Sequence, residues 1–151
     1  MTRLLPRLPA MLALALGLLG TAAAAPDDAA FHRRAADCVA VLERDASALA
    51  TRVQAGDKAA RPGLLKLTEQ GFTFVGRAYL RGLRKAEADR LVDEAKVAQK
   101  SLPPEPLQQL SAGCQAEGAR LFADANALER ALVTNRAKAR VESLLAAKKP
   151  R

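Results

Sequence analysis

Apolar residues in this chain recur at steps of three and four over long stretches, and nowhere do they alternate one by one for long enough to define a sheet. The first periodic stretch runs from Asp28 to Ala55 without Pro or Gly, and Phe31, Ala35, Cys38, Leu42, Ala46, Leu49 and Val53 form its stripe. That pattern predicts an amphipathic helix, capped by Asp27 or Asp28 and ended by Gly56 and Asp57. Arg61-Pro62-Gly63 then predicts a turn, because proline restricts the residue before it and glycine loosens the one after.

A second helical stretch is expected from about Leu64 toward Lys100, with a stripe of Leu65, Thr68, Phe72, Val75, Tyr79, Leu83 and Ala86, continued by Leu91 and Ala95. Gly71, Gly76 and Gly82 each weaken it by about 1 kcal/mol relative to alanine. They read as points of close packing against a neighbouring helix, and a bend or break is expected between Gly82 and Lys85. Phe72-Thr73-Phe74-Val75 resembles a short strand in isolation, but no other segment is available to pair with it.

Pro103, Pro104 and Pro106 interrupt any helical ladder, and Pro106 suits a first helical position. Beyond them Leu107, Leu110, Cys114, Glu117 or Gly118, Leu121, Ala125, Leu128, Leu132 and Asn135 keep a near-heptad rhythm that Ala139 and Leu145 extend. A break between Gly113 and Gly118 would divide this third stretch. The fold class expected is all-α: an up-down-up three-helix bundle, or four helices if a long helix breaks, with one disulfide.

The segment ahead of these helices has a different character. Arg3 and Arg7 precede an apolar run from Leu8 to Leu19, followed by Gly20, Thr21 and the small residues Ala22 to Ala25. Charge, short apolar core and small-residue site in that order predict a secretory signal peptide over residues 1–24, cut after Ala24. An apolar run of roughly 12 residues is shorter than the ~20 that span a bilayer. The remainder, residues 25–151, reads as a single helical domain whose basic end, Lys148-Lys149-Pro150-Arg151, frays. The expected location is the periplasm or the extracellular medium.

Export makes the two cysteines informative, since an oxidising compartment lets a disulfide persist. If the first and third helices run parallel, Cys38 lies ten residues past Asp28 and Cys114 eight past Pro106. At about 1.5 Å per residue the two sulfurs fall nearly level. A Cys38–Cys114 bond is therefore expected. Metal binding is not, because Cys38, Cys114 and His32 are three potential ligands without a closely spaced pair. Both methionines, Met1 and Met11, lie in the leader, and no C-x-x-C-H run is present, so haem ligation has no basis either. No cofactor is expected.

Losing Arg3 and Arg7 with the leader lowers the net charge only from +8 to +6. The densest cationic group is Arg77, Arg81, Arg84 and Lys85, with no acid between Glu69 and Glu87. On one continuous helix these steps of four, three and one would share a side, suited to phosphate, an acidic protein surface or a lipid headgroup. A second group, Arg136, Lys138, Arg140, Lys148, Lys149 and Arg151, lies toward the C-terminus. Nucleic acid is disfavoured as a partner by export and by the scarcity of aromatic residues for stacking. His32 is expected at the surface of a first helical turn. Ser47, Ser101, Ser111 and Ser143 are scattered, and neither Asp27/Asp28 nor Asp93/Glu94 converges as an acid/base pair. The expected function is thus non-enzymatic: an envelope protein contacting an anionic partner through a basic helix face, with peripheral membrane contact among the forms this takes. The alternative is an assembly module pairing with another helical protein through its apolar stripe.

Overall fold

The computed structural model describes residues 26–147. The predicted leader and the basic C-terminal residues 148–151 lie outside the described part. All described secondary structure is helical: α1 Pro26–Gln54, a 3-10 turn Lys58–Ala60, α2 Arg61–Leu80, α3 Lys85–Lys100, α4 Pro104–Ala123 and α5 Ala127–Ala146. The all-α class stands, but the described chain forms five helices instead of three or four.

Two breaks account for the difference. The first falls where expected: Arg81 caps α2, Gly82 adopts φ +85°, and Arg84 in extended conformation precedes α3. The second does not fall between Gly113 and Gly118, both of which lie inside α4. It comes at Asp124–Asn126, where the Asn126 side chain accepts from the Glu129 N–H and the Glu129 carboxylate accepts from the Asn126 N–H. This reciprocal capping box satisfies orphan donors at a helix start, so it favours a new helix over continuation. Arg61-Pro62-Gly63 is likewise no turn. Pro62 sits in the first turn of α2, where a missing N–H costs nothing, and the chain reverses earlier, at Gly56 with φ +103°.

α1 is the central element. Five consecutive residues, Cys38 to Leu42, are buried, which exceeds one helical turn and requires neighbours on every side. Ala35, Ala36, Ala40, Ala46 and Ala50 on the same helix let those neighbours approach closely. α2 packs antiparallel to α1, with Gly63 against Leu49. α4 and α5 each pack on α1 and α2, and α3 packs chiefly on α1. The most enclosed side chains are Phe74, Leu42, Leu64, Val41 and the two cysteines.

The disulfide is present: Cys38 and Cys114 are joined across 76 positions with Cα atoms 5.1 Å apart. The direction assumed for its partner helix is reversed, however. Arg34 meets Glu117, Cys38 meets Cys114 and Asp45 accepts from Ser111, so α4 runs antiparallel to α1. The cause is α3, whose 16 residues cover about 24 Å at about 1.5 Å per residue and lie across α1. Lys96 reaches Glu43 while the later Gln99 donates to the Asp37 carbonyl. α3 is thus a separate pass between α2 and α4, and the Ser111–Asp45 contact places the first half of α4 beside the later part of α1. The cysteines still meet because Cys114 stands near the midpoint of Pro104–Ala123, where reversing the helix leaves its height almost unchanged.

The apolar stripes are shifted too. On α2 the deeply buried face is Leu64, Leu67, Phe74 and Ala78 together with Thr68, Gln70 and Thr73, whereas Tyr79 is exposed. α2 is enclosed by α1 and α4 on one side and met by α5 on another, so no single stripe describes it. Of the glycines read as close-packing points, Gly71 and Gly76 face open space and Gly82 serves a turn. The tight approach is at Gly118, where an added Cβ would lie 2.9 Å from the Gln70 Cβ.

Candidate functional site

Arg77, Arg81, Arg84 and Lys85 do not form one helical cationic face, because α2 ends at Leu80 and α3 starts at Lys85. The four residues are distributed over a helix end, a turn and a helix start. Three of them already have acidic partners: Arg77 lies 3.7 Å from Glu129, Arg81 3.6 Å from Asp28, and Lys85 2.5 Å from Asp89. Arg81 also stands over the Phe31 ring at 4.1 Å, a cation–π contact that ties the α2 end to the start of α1. The hydrogen bond to Asp89, reinforced by its charge, raises the Lys85 pKa. Of these four, Arg84 alone makes no ion pair among the described residues.

His32 is buried, not at the surface as its place in a first turn implied, and its Nε2 has no hydrogen-bond partner. The helix it belongs to is covered by its neighbours even near its start. One turn further on, burial pushes the Asp37 carboxyl above its ordinary pKa, with the Arg34 guanidinium opposing the shift. Among the described residues no group of three or more His, Cys, Asp or Glu converges to hold a metal ion.

α5 carries Arg136, Lys138 and Arg140 of the second cationic group, whose other members lie outside the described residues. Its buried residues are Ala137 and Val141, and Arg130 turns inward to donate to the Ala123 and Ala125 carbonyls. Both of its acids are engaged with α2: Glu129 by Arg77 and Glu142 by Arg61. Thr134 donates to Glu69 of the same helix. Arg136, Lys138 and Arg140 are exposed and make no ion pair among the described residues. Leu128 and Leu132 are exposed as well, at 70% and 52%.

Those two leucines are the residues that the near-heptad rhythm assigned to the core. At about 100° per residue, Leu128, Leu132, Asn135 and Ala139 lie on one strip of α5, about half a turn away from Ala137 and Val141. The capping box at Asn126 restarts the helix in a new phase, so a stripe that points inward on α4 points outward on α5. Asn126-Ala127-Leu128-Glu129 was the sequence signal for this restart.

A groove between α1, α2 and α3, about 430 Å³ in volume, is lined by Val39, Val75, Ala78, Leu83 and Val92 and rimmed by the Glu43–Lys96 ion pair. Among the described residues no helix is long and apolar enough to cross a membrane. Comparison with protein-family models, with curated proteins and with solved structures found no match.

Proposed function

We propose that this chain is an exported, non-enzymatic helical protein that contacts an anionic partner through a basic surface, centred on α5. The observation that carries this reading is the one-sided use of charge on that helix. Glu129 and Glu142 are paired with Arg77 and Arg61, while Arg136, Lys138 and Arg140 have no counter-ion among the described residues. Arg84 adds a further exposed cation at the α2–α3 junction, whereas Arg77 and Arg81 serve the fold. A net-positive surface of this kind attracts anions over a distance that salt shortens, to about 8 Å at physiological ionic strength. Export through the residue 1–24 leader is part of the proposal, and the disulfide is compatible with an oxidising destination.

The test is binding of the purified, disulfide-bonded chain to soluble poly-glutamate at low and high salt. Binding that weakens with salt, and weakens again in an Arg136→Gln, Lys138→Gln, Arg140→Gln variant, supports the proposal. Salt-independent binding, or none, refutes it. Exposed Leu128 and Leu132 favour a second reading, in which the α5 strip pairs with another helical protein. Light scattering that finds a strict monomer at high concentration counts against self-pairing.

A further inference from the structure

We infer that the anionic partner is a lipid bilayer surface, and that α5 lies flat on it with Leu128 and Leu132 set into the headgroup region and Arg136 and Lys138 at its flanks. The inference rests on the basic-surface reading above and narrows it to one class of partner. Its additional observation is that one exposed side of α5 carries both leucines and cations that make no ion pair among the described residues. Leu128 and Leu132 are one turn apart and largely uncovered, and they stand opposite the residues that bury α5 in the bundle. At about 100° per residue, Arg136 and Lys138 fall about 80° to either side of that leucine strip. Along the axis these cations lie one to two turns beyond Leu132, so the face is apolar at its start and cationic further on, which suits a helix resting in an anionic membrane interface. The sequence continues this character with Lys148, Lys149 and Arg151.

An acidic protein surface would use the cations but leave the leucines in water. A second copy of the chain would use the leucines without needing the cations. Two leucines also contribute far less than the ~800 Å² per partner of a standard protein interface. A bilayer with anionic headgroups uses both features at once. It requires no spanning helix, consistent with the absence of one among the described residues. Glu142, Glu129 and Thr134 contact α2, so the strip is carried by a helix already packed in the bundle.

The chain contains no Trp, so a Leu128→Trp variant carries a single indole reporter at the centre of the strip. Position 128 is exposed, so unchanged helicity and melting temperature are expected and serve as the folding control. Vesicles of phosphatidylglycerol and phosphatidylcholine in equal parts should shift the indole emission to shorter wavelength. Phosphatidylcholine alone and poly-glutamate should not. In the reporter background, Leu132→Ser should lower partitioning about tenfold, as expected for loss of one partly inserted apolar side chain. Neutralising Arg136 and Lys138 to Gln should lower it about 25-fold, from about fivefold per cation near an anionic surface. If poly-glutamate and vesicles both bind in a salt-dependent way but the emission does not move, the bilayer inference is overturned while the basic-surface reading stands. If neither binds, both fail. If the emission shifts with protein concentration in the absence of lipid and light scattering reports a dimer, the strip belongs to a second copy and the inference is overturned.

Discussion

Two glycine-to-alanine substitutions, Gly118→Ala on α4 and Gly76→Ala on α2, should change stability in opposite directions. Either change improves helix propensity by about 1 kcal/mol. At Gly76 nothing lies within 4 Å of the new Cβ, so that gain is realised in full. At Gly118 the Cβ would lie 2.9 Å from the Gln70 Cβ, and 3.2 Å from both the Gln70 Cγ and the Phe74 Cε2. Carbon atoms prefer about 3.5–4.0 Å, so either α4 or α2 must give way. Neither can do so easily. The Gln70 Cβ moves only with its backbone, Phe74 is fully buried, and Cys114 pins α4 to α1 one turn away. Overpacking a core typically costs about 1–3 kcal/mol, so the net effect at Gly118 is a loss of about 1 kcal/mol. The two variants should then differ by about 2 kcal/mol, which for a domain of this size is roughly 8 °C in melting temperature. Thermal unfolding followed by far-ultraviolet circular dichroism, in parallel with urea titration, measures both. A Gly118→Ala protein that melts at or above the Gly76→Ala protein would refute the close approach of α4 to α2.

Two further outcomes follow from the same architecture. Mass mapping of peptides from the non-reduced protein should recover Cys38 joined to Cys114. A Cys38→Ser, Cys114→Ser variant should lose up to about 4.5 kcal/mol, the chain-entropy value for a loop of this length; a melt unchanged by the double substitution would contradict the constraint. Asp37 provides a pH test. Its folded pKa is raised, chiefly by burial, so the native state binds the proton more tightly than the unfolded chain. Stability from this group is therefore fully present below the unfolded carboxylate pKa and lost as pH rises from there through the raised folded value. Asp37→Asn should be more stable than the parent at neutral pH, with the difference vanishing in acid; the opposite ordering would show that the attraction of Arg34 outweighs burial.

Periodicity in the sequence was sufficient for the helical class and for most of α1, since three- and four-residue spacing depends only on the geometry of one helix. Phe31, Ala35, Cys38, Leu42 and Ala46 all face neighbours in the fold. Cysteine count and spacing were enough for the disulfide, helped by the central position of Cys114 in its helix. The candidate site was less legible. Arg77, Arg81, Arg84 and Lys85 looked like one cationic face only while the helix was assumed continuous, and their acidic partners Glu129 and Asp28 lie far away in sequence.

What the sequence determined by itself was therefore local: which segments are helical, where Gly82 interrupts them, and that two thiols are available to join. The tertiary structure decided the rest, because direction and phase are relations between helices. The crossing of α3 over α1 set the direction of α4, and the capping box at Asn126 set the rotational phase of α5. A helix carries the same apolar residues whichever way it faces, so only the packing of α5 on α1 and α2 could decide that Ala137 and Val141 are buried and Leu128 and Leu132 meet the solvent.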